Sequence, residues 1–235
     1  MLHNNLVAAI ITFLLAIIWI RFIGYLANKQ LLSSSVSRKI IHIGTGPLFV
    51  LCWLLFDQNP SGRYLAVIAP AFNAVLFGLT GLGIIKDPSS VNSMARSGDK
   101  KELLRGPFLY GIAFVVITIL FWKDVEIGII ALMILCGGDG MADLIGKRFG
   151  SKTIPWSARK TWIGSLGMLV CGFLLAVSMI WIFTAAGVFH PIWGKTISNI
   201  FILSIVATLI ESLTLNDLDN ITVPAVTCLF GLILF

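Results

Sequence analysis

Two aspartates lie inside a glycine-rich segment, Gly137–Gly150, which ends a long apolar run. Asp139 and Asp143 are four residues apart, so a helix would place both carboxylates on one face. Ionisable residues at membrane depth are costly and usually functional, and Mg²⁺ prefers one or two carboxylates together with phosphate oxygens and water. The spacing therefore predicts a magnesium site. The alternative is a helix end at the level of the lipid head groups with two solvated acids.

A second segment with suitable chemistry begins at Arg159. Lys160 can neutralise phosphate charge, and the hydroxyls of Thr161 and Ser165 can donate hydrogen bonds to phosphate or ligate a metal. Gly164 would let backbone amides approach an anion at a predicted helix start. This pattern favours a phosphate-binding segment. The alternative is a basic membrane anchor followed by a helix cap.

Small residues recur every fourth position around the aspartates, at Ala142, Gly146 and Gly150. On a helix they form a smooth stripe that allows close approach of another helix or of a ligand. Lys147 directly follows Gly146 and adds a positive charge. Gly146 and Lys147 are therefore candidate nucleotide-binding residues.

Two basic clusters lie earlier in the chain. Arg38 and His42 would share a helix face, and Arg96 and Arg105 flank a segment of mixed charge. We expect these four residues to orient phosphates or substrate. The alternatives are a basic collar beside the membrane for the first pair and a solvated loop for the second.

A last acidic cluster follows near the C-terminal end. Glu211 lies at the end of an apolar helix, where a charge is expensive, and Asp217, Asp219 and Asn220 follow it. Glu211 and Asp219 are therefore candidate additional metal ligands. The alternative for the residues after Glu211 is an ordinary turn.

The elements that carry these residues are predicted to be membrane helices. Of 235 residues 57% are hydrophobic and 12% charged, whereas soluble domains carry about 25% charged residues. The four cysteines lie in separate apolar runs, which is neither a zinc nor a disulfide pattern. The apolar segments are 6–26, 43–56, 64–85, 107–122, 125–147, 163–186, 197–215 and 221–235.

A spanning helix needs about 20 residues, so the short second segment is expected to be extended by Ser37–His42. The last segment is also short. We therefore predict an all-α polytopic membrane bundle of seven or eight transmembrane helices, forming one integral membrane domain over residues 1–235. The first segment is expected to be a retained helix, because it has neither the basic residues before it nor the clear cleavage site that a signal peptide would have.

The basic residues divide unevenly between the two membrane faces. With helices alternating across the bilayer, 14 of the 17 Lys and Arg residues fall on one side, which the positive-inside rule makes cytoplasmic or its organellar equivalent. The N-terminus is then non-cytoplasmic. All five clusters described above lie on the basic face. This charge indicates anionic lipids or a phosphorylated ligand rather than nucleic acid, because no nucleic-acid-binding motif is present.

From Ser37 to Pro224 the sequence resembles the CTP-dependent polyprenol kinase family, which contains dolichol, phytol and CTP-dependent diacylglycerol kinases. The matching positions are Asp139–Gly150, then Lys160, Thr161, Gly164 and Ser165, and finally Glu211, Asp219, Asn220 and Pro224. Two segments are similar to the phytol kinase branch, Ser37–Lys39 with His42 and Ser97–Pro107. Leu218 stands where phytol kinases often have another Asp.

The resemblance implies transfer of the γ-phosphoryl group of CTP to the terminal hydroxyl of phytol, giving phytyl phosphate, which in the family feeds tocopherol synthesis. Asp139 and Asp143, with Glu211 or Asp219, are then expected to hold Mg²⁺. Lys160, Arg159 and the Gly164–Ser165 backbone are expected to hold the triphosphate. Asp143 is the expected acceptor of the hydroxyl proton. Membrane lipid, a prenol and a nucleotide are the expected partners.

Three alternatives stay open. The first is a dolichol kinase or a CTP-dependent diacylglycerol kinase, which only branch resemblance separates from a phytol kinase. The second is a phosphatidate cytidylyltransferase, although the terminal signature of those enzymes is missing. The third is a secondary transporter with Asp139 and Asp143 as a midplane cation site, although five basic residues lie close to this pair in the sequence.

Overall fold

The computed structural model describes residues 4–213 and 218–235, and these residues are mostly helical. The α-helices among them are α1 Asn5–Asn28, α2 Ser34–Cys52, α3 Gly62–Ala66, α4 Ile68–Leu82, α5 Pro88–Met94, α6 Gly106–Leu120, α7 Ile127–Met133, α8 Gly140–Phe149, α9 Trp162–Ala185, α10 Trp193–Leu213 and α11 Asp219–Leu234. Two 3₁₀ turns, Trp53–Leu55 and Lys100–Leu104, and one π-helical segment, Ile134–Asp139, extend them.

Within the described ranges, seven helical stretches are long and apolar enough to cross a membrane. They are Asn5–Asn28, Ser35–Leu55, Gly62–Leu82, Lys100–Leu120, Ile127–Phe149, Trp162–Ala185 and Trp193–Leu213. The shorter apolar helix α11 follows them. These helices confirm the predicted all-α polytopic bundle of seven or eight helices, including the extension of the second segment toward its N-terminal side.

A small β-hairpin lies between two predicted helices and contains the only strands among the described residues. Strands β1, Thr153–Ile154, and β2, Ser157–Thr161, pair antiparallel, with Thr153 opposite Thr161 and Ile154 opposite Ser157. The hairpin connects α8 to α9. The sequence predicts this stretch to be a connection between two helices, because it falls between the apolar segments 125–147 and 163–186.

The chain divides into two compact units, one ending at Leu120 and the other beginning at Phe121. In the first unit α1 packs against α2 and α4 packs against α6. A buried cluster joins α1, α2 and α4 to α5 and the following 3₁₀ turn. Its members are Ile23, Ile41, Phe77, Met94 and Leu103.

The second unit is built around the span Ile127–Phe149, which comprises α7, the π-helical segment and α8. In the most apolar 18-residue window of this span, 83% of the window is buried within the protein. In the other six spans the buried share of the corresponding window is 28–44%. Helix α9 packs along α7, the π-helical segment and α8, while α11 packs against α7 and α10 packs against α9 and α11. Because the protein itself surrounds this span, it can carry a polar side chain that lipid would exclude.

Glycines bring α9 to backbone distance from the π-helical segment. A Cβ added at Gly138 would lie 3.0 Å from Met168 Cγ and 3.2 Å from Met168 O. A Cβ added at Gly172 would lie 3.4 Å from Gly138 Cα. Small residues at helix contacts in membranes allow this approach, which maximises van der Waals packing.

We therefore expect Gly138→Val to lower the apparent melting temperature of the protein in detergent. Overpacking of this kind typically costs about 1–3 kcal/mol, because the added methyl groups would meet the backbone carbonyl of Met168. The matched control is Gly194→Val, since a Cβ at Gly194 meets no atom within 4 Å. An unchanged melting temperature for Gly138→Val would contradict the close packing of α9 on this segment.

Candidate active site

Three carboxylates from different elements converge in the second unit. Asp139 ends the π-helical segment, Glu211 lies in the last turn of α10, and Asp219 begins α11. One oxygen of each lies within 4.8 Å of the others. We call these three residues the acidic triad. Asp217, the other acid predicted near this cluster, lies outside the described residues.

The acidic triad is buried. Its residues have relative exposures of 7% for Asp139, 2% for Glu211 and 9% for Asp219. Asp139 is the last residue of a π-helical segment that is buried along its whole length. Single π-helical turns inside α-helices occur frequently at functional sites. This turn was not predicted from the sequence.

Lys160 supplies the positive charge at the acidic triad. Its ammonium donates a hydrogen bond to Glu211 Oε1 and lies 3.4 Å from Asp219 Oδ2. Burial alone would lower the pKa of Lys160, but the carboxylates of Glu211, Asp219 and Asp139 outweigh it and raise the pKa above its ordinary value. Lys160 therefore remains a cation at neutral pH.

The donor set fits a hard divalent cation. Three carboxylates and one ammonium leave a formal charge of about −2 inside a largely buried site, where an uncompensated charge is expensive. Mg²⁺ binds oxygen ligands and usually keeps positions for water and substrate phosphates. The acidic triad could therefore hold Mg²⁺ without any further protein ligand.

The β-hairpin brings Lys160 to the acidic triad. Trp156, in the turn between the strands, donates its indole N–H to Ser212 Oγ at 3.2 Å. Ser212 follows Glu211 directly and donates its own hydroxyl to Leu209 O at 2.7 Å. The hairpin is thus tied to the end of α10 at its tip and, through Lys160, along its second strand. We call the Trp156–Ser212 hydrogen bond the hairpin latch.

Sequence reasoning missed the hairpin latch. The available signal was a tryptophan directly after Pro155 in an otherwise polar connection. Its indole ring packs at right angles to a second tryptophan, Trp162, with centroids 6.0 Å apart. Both side chains are 54% exposed, as expected for aromatic residues at a membrane interface.

The structure places Asp143 differently from Asp139. Asp143 lies in α8 and forms an ion pair with Lys147, with 2.9 Å between Oδ2 and Nζ. Among the described residues it is not one of the three carboxylates grouped above. The shared metal site of Asp139 and Asp143 therefore stays a prediction, and so does the nucleotide contact of Lys147.

The other predicted nucleotide-binding residues lie where α8 meets the start of α9. Thr161 caps α9 by accepting the amide N–H of Gly164 at 3.2 Å. A Cβ at Gly164 would lie 2.9 Å from Ala142 O and 3.2 Å from Gly146 Cα. The small stripe of α8 thus packs against the first turn of α9, which gives Gly146 and Gly164 a packing role as well as the predicted one.

Two further predicted nucleotide-binding residues, Arg159 and Ser165, lie close to the start of α9. Arg159 is exposed on β2, three residues before the start of α9. Ser165 Oγ is buried in the first turn of α9 and has no hydrogen-bond partner among the described residues. A hydroxyl in that position is available to a ligand that reaches the helix start.

The remaining predicted residues, Arg38, His42, Arg96 and Arg105, belong to the first unit. The His42 ring packs on Tyr110 with centroids 4.5 Å apart, and the Tyr110 hydroxyl donates to His42 O at 2.8 Å. Glu102 folds the mixed-charge segment by accepting the Arg96 amide N–H and, at 2.8 Å, the Ser97 hydroxyl. Arg96 and Arg105 are exposed.

Comparison with known proteins finds similar sequences over most of the chain. The probable chloroplastic phytol kinase of Triticum aestivum is 38% identical over 92% of this chain and 73% of its own length. Chloroplastic phytol kinase 1 of Arabidopsis thaliana is 37% identical over 89% of this chain and 70% of its own. The chloroplastic farnesol kinase of A. thaliana is 36% identical over 96% and 74%. No family model and no solved structure matches the chain.

The hairpin latch should be measurable by a double-mutant cycle. Trp156→Phe removes the indole donor while keeping an aromatic ring beside Trp162, and Ser212→Ala removes the acceptor. We expect each variant to destabilise the protein and the two effects to be non-additive by about 0.5–1.5 kcal/mol, the usual net value of a hydrogen bond. The measurement is unfolding in detergent, with Trp181→Phe, at an exposed tryptophan of α9, as the matched control. Additive effects would show that the two side chains do not interact.

Proposed function

The chain belongs to the polyprenol kinase family that contains the phytol and farnesol kinases of plants, and from this premise we propose that it phosphorylates phytol with CTP. The protein is a membrane-embedded lipid-alcohol kinase. In the proposed reaction the phytol hydroxyl oxygen bonds to the γ-phosphorus of CTP, the β–γ bridge bond breaks, and phytyl phosphate and CDP leave. The observation that carries this assignment is the acidic triad with Lys160.

We assign the Mg²⁺ of this reaction to Asp139, Glu211 and Asp219. When bound, the ion would neutralise charge on the transferring phosphoryl group, which phosphoryl transfer needs more than covalent catalysis. Asp143 lies one helical turn beyond Asp139 along the chain. We propose that Asp143 accepts the proton of the phytol hydroxyl. To do so, it would have to release Lys147 and contact the incoming alcohol instead.

The triphosphate is assigned to the residues around the start of α9. Lys160 and Arg159 supply positive charge, and Lys147 can add a third charge once Asp143 is engaged elsewhere. The Thr161 hydroxyl accepts the Gly164 amide, so its proton remains available for a phosphate oxygen. Ser165 Oγ and the backbone of Gly164–Ser165 complete the set. The choice of CTP rests on the family resemblance.

We propose that the prenol substrate reaches the site from the lipid beside the second unit. A prenol has a long apolar chain that partitions into the bilayer and a hydroxyl that remains at the interface. The exposed rings of Trp156 and Trp162 are typical of that interface, and Trp156 is hydrogen-bonded to the residue after Glu211. The acidic triad would then lie at the depth of the prenol hydroxyl.

We also propose the orientation of the protein in its membrane. The face that carries 14 of the 17 Lys and Arg residues would be cytoplasmic or stromal, and the N-terminus would lie on the opposite side. On this orientation the nucleotide reaches the acidic triad from the aqueous compartment. The placing of Arg38, His42, Arg96 and Arg105 on the same face rests on this charge distribution alone.

Purified protein in detergent should make labelled phytyl phosphate from γ-labelled CTP. Parallel reactions with UTP and ATP would identify the donor, and parallel reactions with farnesol, dolichol and diacylglycerol would identify the alcohol. We expect CTP and phytol to give the highest kcat/KM. A preference for farnesol would indicate that the protein is a farnesol kinase and not a phytol kinase. If the folded protein transferred phosphate to none of these alcohols, the proposed reaction would be wrong.

Replacement of the acidic triad should abolish turnover without preventing membrane insertion. We expect Asp139→Asn and Glu211→Gln each to lower kcat by at least about 100-fold, comparable to the loss of one transition-state-stabilising group. Asp143→Asn should also lower kcat, through proton transfer, which usually contributes about 10²–10⁴-fold. Asp124→Asn is the control, because this carboxylate is exposed in the connection before α7. Full activity of Asp139→Asn would exclude the proposed metal centre.

A further inference from the structure

We infer that Lys160 is the resident counter-ion of the acidic triad and that its ammonium leaves the carboxylates when a divalent cation binds, so that cation and nucleotide bind cooperatively. This inference rests on the proposed function and adds a rule for how its site is loaded. It gives Lys160 two alternating partners, the carboxylates before the cation arrives and the triphosphate afterwards.

The first argument is electrostatic. Three carboxylates whose oxygens lie within 4.8 Å of one another repel strongly in a site of low dielectric constant. The Lys160 ammonium lies against two of them, Glu211 and Asp219. Asp219 additionally accepts the backbone N–H of Asn220 at 3.1 Å. Lys160 thus holds the acidic triad together before any metal is present.

The second argument is competition for the same carboxylates. Mg²⁺ requires its oxygen ligands at about 2.0–2.1 Å in nearly octahedral geometry. An ammonium hydrogen-bonded to the same carboxylates would lie close enough to such an ion to repel it. A divalent cation must therefore displace Lys160 or bind with reduced affinity beside it. The cation alone should accordingly bind weakly to the wild-type protein.

The third argument is that the displaced Lys160 ammonium has an alternative partner, the triphosphate of the nucleotide. The Lys160 side chain is a flexible four-carbon stem and is 23% exposed, whereas the side chain of Glu211 is only 3% exposed. It lies on β2 between Arg159 and Thr161, both assigned to phosphate. A triphosphate would accept the displaced ammonium and so lower the cost of displacement. By thermodynamic reciprocity, nucleotide must then tighten cation binding as much as cation tightens nucleotide binding.

The hairpin latch determines where the ammonium rests. Trp156 and Ser212 fix the hairpin against α10 next to Glu211, so they act as positioning residues for Lys160. Loosening the latch should weaken the hold of Lys160 on the carboxylates. A merely structural role of Trp156 would instead lower cation affinity or leave it unchanged.

The test is a titration of the purified protein in detergent with Mn²⁺, in which free Mn²⁺ is measured by electron paramagnetic resonance without nucleotide. We expect Lys160→Met to bind Mn²⁺ at least tenfold more tightly than the wild type. Lys160→Arg keeps the charge and should bind as weakly as the wild type. The control Lys152→Met removes an exposed lysine from the same connection and should change the affinity less than twofold. Trp156→Phe should tighten binding by a smaller factor than Lys160→Met.

A second titration with the β,γ-methylene analogue of CTP tests the cooperativity. The analogue should tighten Mn²⁺ binding to the wild type much more than to Lys160→Met. Equal Mn²⁺ affinity of the wild type and Lys160→Met, or weaker binding by the variant, would overturn the counter-ion role while leaving the metal centre intact. If neither protein binds Mn²⁺ and Asp139→Asn retains full turnover, both the counter-ion role and the metal centre are wrong.

Discussion

The need to neutralise buried carboxylates in a lipid-immersed bundle constrains most of the second unit. An isolated ionised group in a medium of low dielectric constant is too costly to persist. Asp139 is tolerated because its span is enclosed by α9, α10 and α11 rather than by lipid. Glu211 and Asp219 come from the facing ends of α10 and α11, and Lys160 compensates part of their charge from the hairpin. The fold thereby keeps acids at a depth where each alone would be expelled.

The small residues of the second unit follow from the same constraint. Enclosing the central span requires a neighbouring helix at backbone distance, and Gly138 and Gly172 permit that contact between the π-helical segment and α9. Gly146 and Gly164 do the same where α8 meets the first turn of α9. The small-residue stripe, which was predicted to admit either a helix or a ligand, thus packs against a helix. It acts on the chemistry indirectly, by fixing where the carboxylates and the start of α9 lie.

Sequence reasoning reached the helices because apolar length is a direct consequence of bilayer thickness. It also reached Asp139, Lys160, Glu211 and Asp219, through residue chemistry and through the family resemblance. The resemblance grouped Asp139 with Glu211 or Asp219 as metal ligands, but it did not place Lys160 against these carboxylates. Asp139 and Glu211 are far apart in the chain, and only helix packing brings them together with Asp219. The four-residue spacing of Asp139 and Asp143 suggested a shared metal site, yet Asp143 forms an ion pair with Lys147, which lies at the same spacing on its other side.

The hairpin shows why local pattern was insufficient at the site itself. Its strands are short, polar and unsupported by any larger sheet, so neither apolar alternation nor propensity identifies them. They exist because Trp156 and Lys160 each find a partner at the end of α10. The same short connection therefore carries interfacial aromatic rings, the charge that balances the acids, and the first residues able to meet a phosphate. Lipid depth, acid neutralisation and nucleotide attraction place compatible demands on this one segment, which is why a reaction between a water-soluble nucleotide and a membrane alcohol can be assigned to it.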